Sequence, residues 1–368
     1  MKPFVFLILL LLAPRLLAAQ ETGPGTVQGR VVDAETAEPL AGAHVFLSST
    51  THGTTTDADG RYRLDRLPPG SHEIAASMLG FEVQTHRWHP AANGPSTLDF
   101  RLHPTVLALG EVVVSSSRPE TWAAQFERFQ PLFLGTTDNA EHCTMINPEV
   151  LDFTYDEDTG SLRATAIEPL VIENRALGYR VHYHLKEFEA RRGTVRYLGT
   201  SRFEELEPRN KRERRRWKRR RRNAYEGSMP HFLATLFDDE TGEAARKAGF
   251  EVSIAPRFDT DPTVTIPARV RAFLKPAPQP DNRLLTFDDH LLVIYKPDMP
   301  ATPPAGVPGA TAPPPPLDEY ASWITLNGGP TAVDRMGHLH DPYAVTTFGR
   351  WSRERLADLL PRDYQRAR

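Results

Sequence analysis

Thr26-Val27-Gln28-Gly29-Arg30-Val31-Val32-Asp33, then His44-Val45-Phe46-Leu47, then Gly53-Thr54-Thr55-Thr56-Asp57-Ala58-Asp59-Gly60-Arg61-Tyr62-Arg63-Leu64, set the architecture of the first part of the chain. Apolar and polar residues alternate within each run, which is the period of a strand with one buried face. Gly and Pro separate the runs, as turns do in a β-sandwich. Asp59-Gly60 supplies the positive φ of a tight hairpin, and Leu67-Pro68-Pro69-Gly70 turns the chain again before Ser71 to Met78. Asp57 and Asp59 beside a glycine also suggest calcium. A hard cation needs six to eight oxygens, however, and the EF-hand spacing with its distal Glu is absent, so turn chemistry accounts for the pair.

Gly29-x-Val31-x-Asp33, Pro39-Leu40-x-Gly42-Ala43-x-Val45, Gly53-Thr54-x-Thr56-Asp57-x-Asp59-Gly60-x-Tyr62, Leu67-Pro68-x-Gly70 and Leu79-Gly80-Phe81 follow one another in order. Together they resemble the carboxypeptidase regulatory-like domain. The resemblance covers residues 26–103 and implies a transthyretin-like (prealbumin-like), seven-stranded sandwich. Leu109-Gly110-Glu111-Val112-Val113-Val114 extends the β pattern, as in outer-membrane receptors that carry this module before a plug. The ~250 residues that follow lack successive strands of about ten residues in barrel alternation, so a transport receptor is not expected.

The chain has 368 residues with 40% hydrophobic and 25% charged, enough apolar content for more than one core and more than one domain. Thirty-three prolines and 24 glycines favour short strands and turns over a helical bundle. With 44 basic against 47 acidic residues there is no global field for nucleic acid or an anionic membrane. Cys143 is the single cysteine, which excludes an intramolecular disulfide and any zinc site with two cysteines. Residues 1–19, with Lys2, the apolar run Phe4 to Ala13 and the ending Leu17-Ala18-Ala19, have the form of an export signal. The run is short for a span of about 20 residues, a retained anchor being the alternative, and no cysteine follows for a lipoprotein anchor. Without a second long apolar stretch, the mature chain is expected to be soluble or peripherally attached, in the periplasm, at the outer membrane or on the surface.

After a connector at 104–119, residues 120–368 are expected to form a β-rich α+β domain. Trp122, Phe126, Phe129 and Phe133 recur at helical spacing, which predicts one core-facing aromatic stripe on a helix partly interrupted by Pro131. Val150 to Tyr155, Leu162 to Ile167, Leu170 to Ile172, Tyr179 to Phe188 and Thr194 to Tyr197 predict an antiparallel meander. Phe133-Leu134-Gly135, Asn147-Pro148-Glu149, Ile172-Glu173-Asn174-x-x-Leu177-Gly178-Tyr179 and Tyr225-x-Gly227-Ser228-x-x-His231-Phe232-Leu233 resemble secreted proteins of the Bacteroidetes group with the same two-part layout, a likeness that implies no activity. Residues 297–316 contain nine prolines, four of them consecutive at Pro313 to Pro316, and read as a stiff exposed loop rather than a ligand for a partner groove. Trp323 and Trp351 are expected core anchors.

Arg209 to Arg222 holds eleven basic residues in fourteen. The plainer interpretation is a solvated helix with Trp217 packed inward and its arginines meeting acidic neighbours. The functional one is binding of anionic envelope components, lipid, lipopolysaccharide or glycan, through Arg215, Arg216, Trp217, Arg219 and Arg220. A single aromatic gives no ladder for stacked bases, so nucleic acid ranks last.

Catalytic signals are weaker. His184-Leu185-Lys186-Glu187 has His-x-x-Glu spacing, with His290, His338 or His340 as a conceivable third zinc ligand. Strand alternation would place His182 and His184 on one face and Glu187 on the other. Gly227-Ser228-Met229 does not complete Gly-x-Ser-x-Gly, and Ser228 reads as the N-cap of a helix at Pro230 to Phe237. No phosphate-cradling glycine loop is present. The expectation is therefore a non-catalytic, cofactor-free envelope protein with a binding or structural role. The alternative is a metal-dependent, carboxypeptidase-like hydrolase of peptide or glycan using His182, His184 and Glu187, or His338 and His340.

Overall fold

The computed structural model describes residues 25–68, 72–88, 95–105, 120–255, 266–279, 281–296 and 320–364. The expected export signal, the Glu111-Val112-Val113-Val114 strand and the proline-rich 297–316 segment lie outside them. The described chain is mostly β.

Eight strands make the first unit: β1 (Gly25–Asp33), β2 (His44–Leu47), β3 (Gly53–Thr55), β4 (Arg61–Leu67), β5 (His72–Ser77), β6 (Gln84–Trp88), β7 (Ser96–Thr97) and β8 (Phe100–Leu102). β4, β1 and the pair β7 and β8 form one sheet, and β3-β2-β5-β6 forms the other. β7 and β8 run parallel to successive parts of β1, so they are one interrupted seventh strand of a seven-stranded sandwich. Between those parts Leu98 crosses closely over Gly29, where any Cβ would sit 1.9 Å from the Leu98 carbonyl oxygen. Val27, Val31, Val45, Ile74 and Phe100 fill the space between the sheets, each fully buried. Asp57–Gly60 keeps its turn chemistry but is not a hairpin. β3 pairs with β2 and β4 with β1, so this turn carries the chain from one sheet to the other. The Asp57 carboxylate accepts from the amides of Asp59 (3.0 Å) and Arg61 (2.8 Å), and Gly60 has a φ of 72°.

The second unit begins with α1 (Glu120–Leu134), which continues through Pro131. It covers a six-stranded sheet of β9 (Cys143–Met145), β10 (Leu151–Asp156), β11 (Ser161–Ala166), β12 (Leu170–Asn174), β13 (Tyr179–Arg191) and β14 (Thr194–Glu205). The pairing is not a simple meander. β13, at 13 residues, is long enough for β12 to take the first half of one edge and β11 the far end, while β14 pairs along the whole other edge. Phe129 and Phe133 meet Phe188 edge-on, with ring centroids 4.7 and 6.3 Å away, so the aromatic stripe of α1 is core packing.

Three helices follow, α2 (Lys211–Tyr225), α3 (Met229–Leu236) and α4 (Glu243–Lys247). Ser228 caps α3 by accepting from the His231 amide. A five-stranded sheet contains β15 (Phe250–Ala255), β16 (Ile266–Pro267), β19 (His290–Tyr295), β20 (Ala321–Leu326) and β22 (Val345–Gly349). After α5 (Val270–Phe273), β17 (Leu274–Pro276) pairs with β18 (Asn282–Leu285), which pairs on its other edge with β21 (Thr331–Asp334). Their apolar cluster around Phe232, Phe250, Phe273 and Trp351 is separate from the one under α1. Trp323 is only half-buried, beside the small cluster of Ala255, Leu292 and Ala321. Beyond α6 (Arg350–Arg353) the tail returns to the earlier units: Leu356 and Ala357 enter the α1 core, and the Arg362 amide donates to the Ser49 carbonyl at 2.7 Å.

Candidate functional site

Arg and Lys are good helix formers, but so many like charges three and four apart repel, so α2 depends on its ends and its one apolar anchor. Asn210 caps the start by accepting from the Glu213 amide at 3.0 Å, and Glu213 reaches back to the Arg209 amide at 2.7 Å, a reciprocal cap. Hydrogen bonds from Arg209 hold the Glu213 carboxyl down at about 2. Trp217 is buried at 4% exposure, and its indole N–H donates to the Arg175 carbonyl at 2.9 Å. The ring lies on Gly178, where an added Cβ would be 2.2 Å away and where φ is 72°, so only glycine fits. Arg221 faces the same way, bonded to the Leu177 carbonyl and Glu205, both at 2.7 Å, with its guanidinium 3.9 Å above the Tyr179 ring.

The outer face of α2 forms one wall of an open cleft of about 520 Å³. Arg215, Lys218, Arg219 and Arg222, at i, i+3, i+4 and i+7, line it, and Pro361, Asp363 and Tyr364 of the tail stand opposite. Both carboxylates at the cleft are already engaged. Glu205 pairs with Arg221, while Asp363 accepts from the Thr51 hydroxyl at 2.5 Å and lies 3.6 Å from His52. Among the described residues, no ion pair involves Arg215, Lys218, Arg219 or Arg222.

The five residues singled out from the sequence therefore separate. Arg215 and Arg219 face the cleft. Arg216 lies on the opposite flank, 3.3 Å from Glu213. Arg220 faces His142, ring nitrogen to guanidinium 3.2 Å, and borders a second, polar cavity of about 380 Å³. Trp217 is a core residue, which corrects its place at an anion-binding surface. Lys218 and Arg222 belong to the face and were recoverable from helical spacing; the tail wall, some 140 positions away in sequence, carried no signal.

That second cavity is lined by three carboxylates that sequence reasoning missed, Asp138, Glu354 and Asp358. Arg350 bonds Glu354 at 2.8 Å, while Thr137 and Asn139 hold Asp358 at 2.6 and 2.7 Å. Burial pushes Glu354 up to about 7 and raises Asp358.

The histidine candidates occupy an interface. His182 and His184 lie on the β13 face opposite its core, where His184 stacks on Phe46 of the sandwich (centroids 6.1 Å) and His182 meets Glu204 at 3.4 Å. Glu187 departs from the expected alternation. The ladder slips between Leu185 and Glu187, and this bulge leaves both Lys186 and Glu187 exposed on the non-core side. Burial, reinforced by Arg202 and neighbouring histidines, lowers both rings to about 4. His338 lies 3.6 Å from Asp334, and burial lowers His340. Among the described residues, no three His, Cys, Asp or Glu side chains are grouped to hold a metal.

Comparison with known proteins adds a family to the first unit. Residues 26–103 match the carboxypeptidase regulatory-like domain. TonB-dependent receptor P39 of Formosa agariphila is 34% identical over 98 residues, covering 27% of this chain and 8% of the receptor. The chain thus aligns with under a tenth of that relative's length. Among solved structures, Klebsiella pneumoniae 5-hydroxyisourate hydrolase is 22% identical over 22% of this chain and 90% of its own, with a TM-score of 0.19. A type II cohesin–X-dockerin complex of Acetivibrio cellulolyticus is 20% identical over 21% of this chain and 52% of that one, with a TM-score of 0.18.

Proposed function

We propose that this is an exported, non-catalytic binding protein of the cell envelope, which holds anionic envelope components on the basic face of α2 and uses the regulatory-like sandwich for contact with envelope proteins. The observation that carries the proposal is the set of four cations, Arg215, Lys218, Arg219 and Arg222, left without ion pairs among the described residues on one face of a helix whose other side is anchored by Trp217. A merely solvated helix has no need of a cleft, and among the described residues no acid forms an ion pair with this face; the two carboxylates at the cleft, Glu205 and Asp363, are engaged elsewhere. The leader-like pattern of residues 1–19 supports export, and the alignment of the sandwich with part of a receptor supports a binding role for that module. No helix among the described residues is long and apolar enough to cross a membrane. Binding of this kind requires no cofactor.

Retention of the mature chain on anionic vesicles, lipopolysaccharide and an acidic polysaccharide across a salt series tests the proposal. Each arginine near an anionic surface contributes about 1 kcal/mol, so an Arg215→Ser, Arg219→Ser, Arg222→Ser variant should bind about a hundredfold more weakly at low salt, with a flatter salt dependence. Equal retention of the two proteins on every matrix would sink it.

A further inference from the structure

We infer that the cleft between α2 and the Pro361–Tyr364 tail is a groove for a linear acidic saccharide, one that carries a carboxylate or sulfate on successive sugars. The inference rests on the proposed anion-binding role and names its ligand. Three features select this class. The first is shape: the cations line a concavity of about 520 Å³ with the tail as its far wall, a volume that suits a short oligomer, whereas a flat bilayer cannot reach the floor of a groove. The second is spacing. Residues three and four apart on a helix place their charges about 5–6 Å apart, so Arg215, Lys218 or Arg219, and Arg222 offer three successive contacts along a run of about 10 Å, commensurate with an acidic sugar at each step.

The third feature separates saccharide from nucleic acid. Single-stranded nucleic acid needs aromatic faces on which bases stack. The rings near this groove are occupied: Trp217 is in the core, Arg221 covers Tyr179, and Tyr364 lies against Tyr225 with centroids 5.9 Å apart. With Glu205 held by Arg221 and Asp363 by Thr51, the unengaged charges are guanidinium and ammonium, which recognise carboxylate and sulfate without stacking.

Calorimetry of the mature chain with oligogalacturonates of two, four and six sugars, a carboxyl-reduced hexamer as neutral control, single-stranded oligonucleotide and anionic vesicles provides the test. The tetramer should bind at least tenfold more tightly than the dimer, with little further gain for the hexamer and no binding of the reduced control. Arg219→Ser/Arg222→Ser should lose at least tenfold of tetramer affinity, while Lys211→Ser/Arg212→Ser, which removes two charges outside the groove, should stay within about twofold. Equal losses in the two variants would overturn the groove in favour of diffuse charge attraction. Binding to vesicles or oligonucleotide without binding to the saccharide would overturn the ligand class while leaving an anion-binding role standing. Absence of binding to all of them would remove both.

Discussion

Single side chains hold the basic helix in place, and their effects are separable from those of its charges. Trp217→Ala should cost about 3–5 kcal/mol in urea unfolding, because it empties a buried ring site and leaves the Arg175 carbonyl without its donor. Gly178→Ala should be similarly damaging, since its Cβ would collide with that ring in a left-handed backbone. The Trp217 side chain was visible in sequence as the lone apolar break in a basic run. Its partner was not, because Gly178 marks itself only as a glycine in the turn between two strands. His182 and His184 yield a pH prediction with a defined sign. Their folded values of about 4 lie below the unfolded value of about 6.5, so the unfolded chain binds more protons between the two. Stability contributed by the neutral rings is complete above pH 6.5 and is lost as the pH falls through 4. Arg202, His44 and Lys186 oppose the charging, and Glu204 favours it at His182. His184→Phe preserves the stack on Phe46 and should reduce the acid loss by about 1 kcal/mol or more, seen as a shallower decline of the unfolding midpoint between pH 6.5 and 4.

At the level of elements, α2 is capped as well as anchored. Asn210→Ala removes the acceptor for the Glu213 amide and should cost about 1 kcal/mol by the same unfolding measurement, with groove binding unchanged once folded. A loss of affinity in the folded variant would show that the helix start belongs to the binding surface. The alternation that marks most strands was legible in the sequence. Less legible was how strands choose partners. β13 carries a bulge at Lys186 and Glu187 that no local pattern announces, and it resets the faces of everything after it. Likewise, the Asp57–Gly60 turn has hairpin chemistry but joins two sheets, because turn propensity specifies a reversal of the chain and not which strand receives it.

At the scale of the whole molecule, Arg362 and Asp363 tie the end of the described chain back to the sandwich. The loop after β2 donates from the Ser49 amide to the Ser201 carbonyl at 2.7 Å and accepts from the Phe203 amide at the Thr50 carbonyl, which covers the outer edge of β14. Arg362 and Asp363 then lock that loop from the other side. Asp363→Asn should lower stability by about 1–2 kcal/mol and loosen the tail wall, read as faster proteolysis near the C-terminus and weaker groove binding together. Intact binding with a released tail would show that the wall plays no part in recognition. By itself, the sequence determined the sandwich at 26–103, the mostly β character, the aromatic stripe of α1 and the existence of a dense basic helix, since all four follow from period, turn residues and local charge. Only the tertiary structure decided which arginines face solvent, that Trp217 faces inward, and that a tail some 140 residues distant turns the basic face into a cleft. Those choices depend on contacts between segments remote in sequence, for which no local pattern of residues can encode the partner.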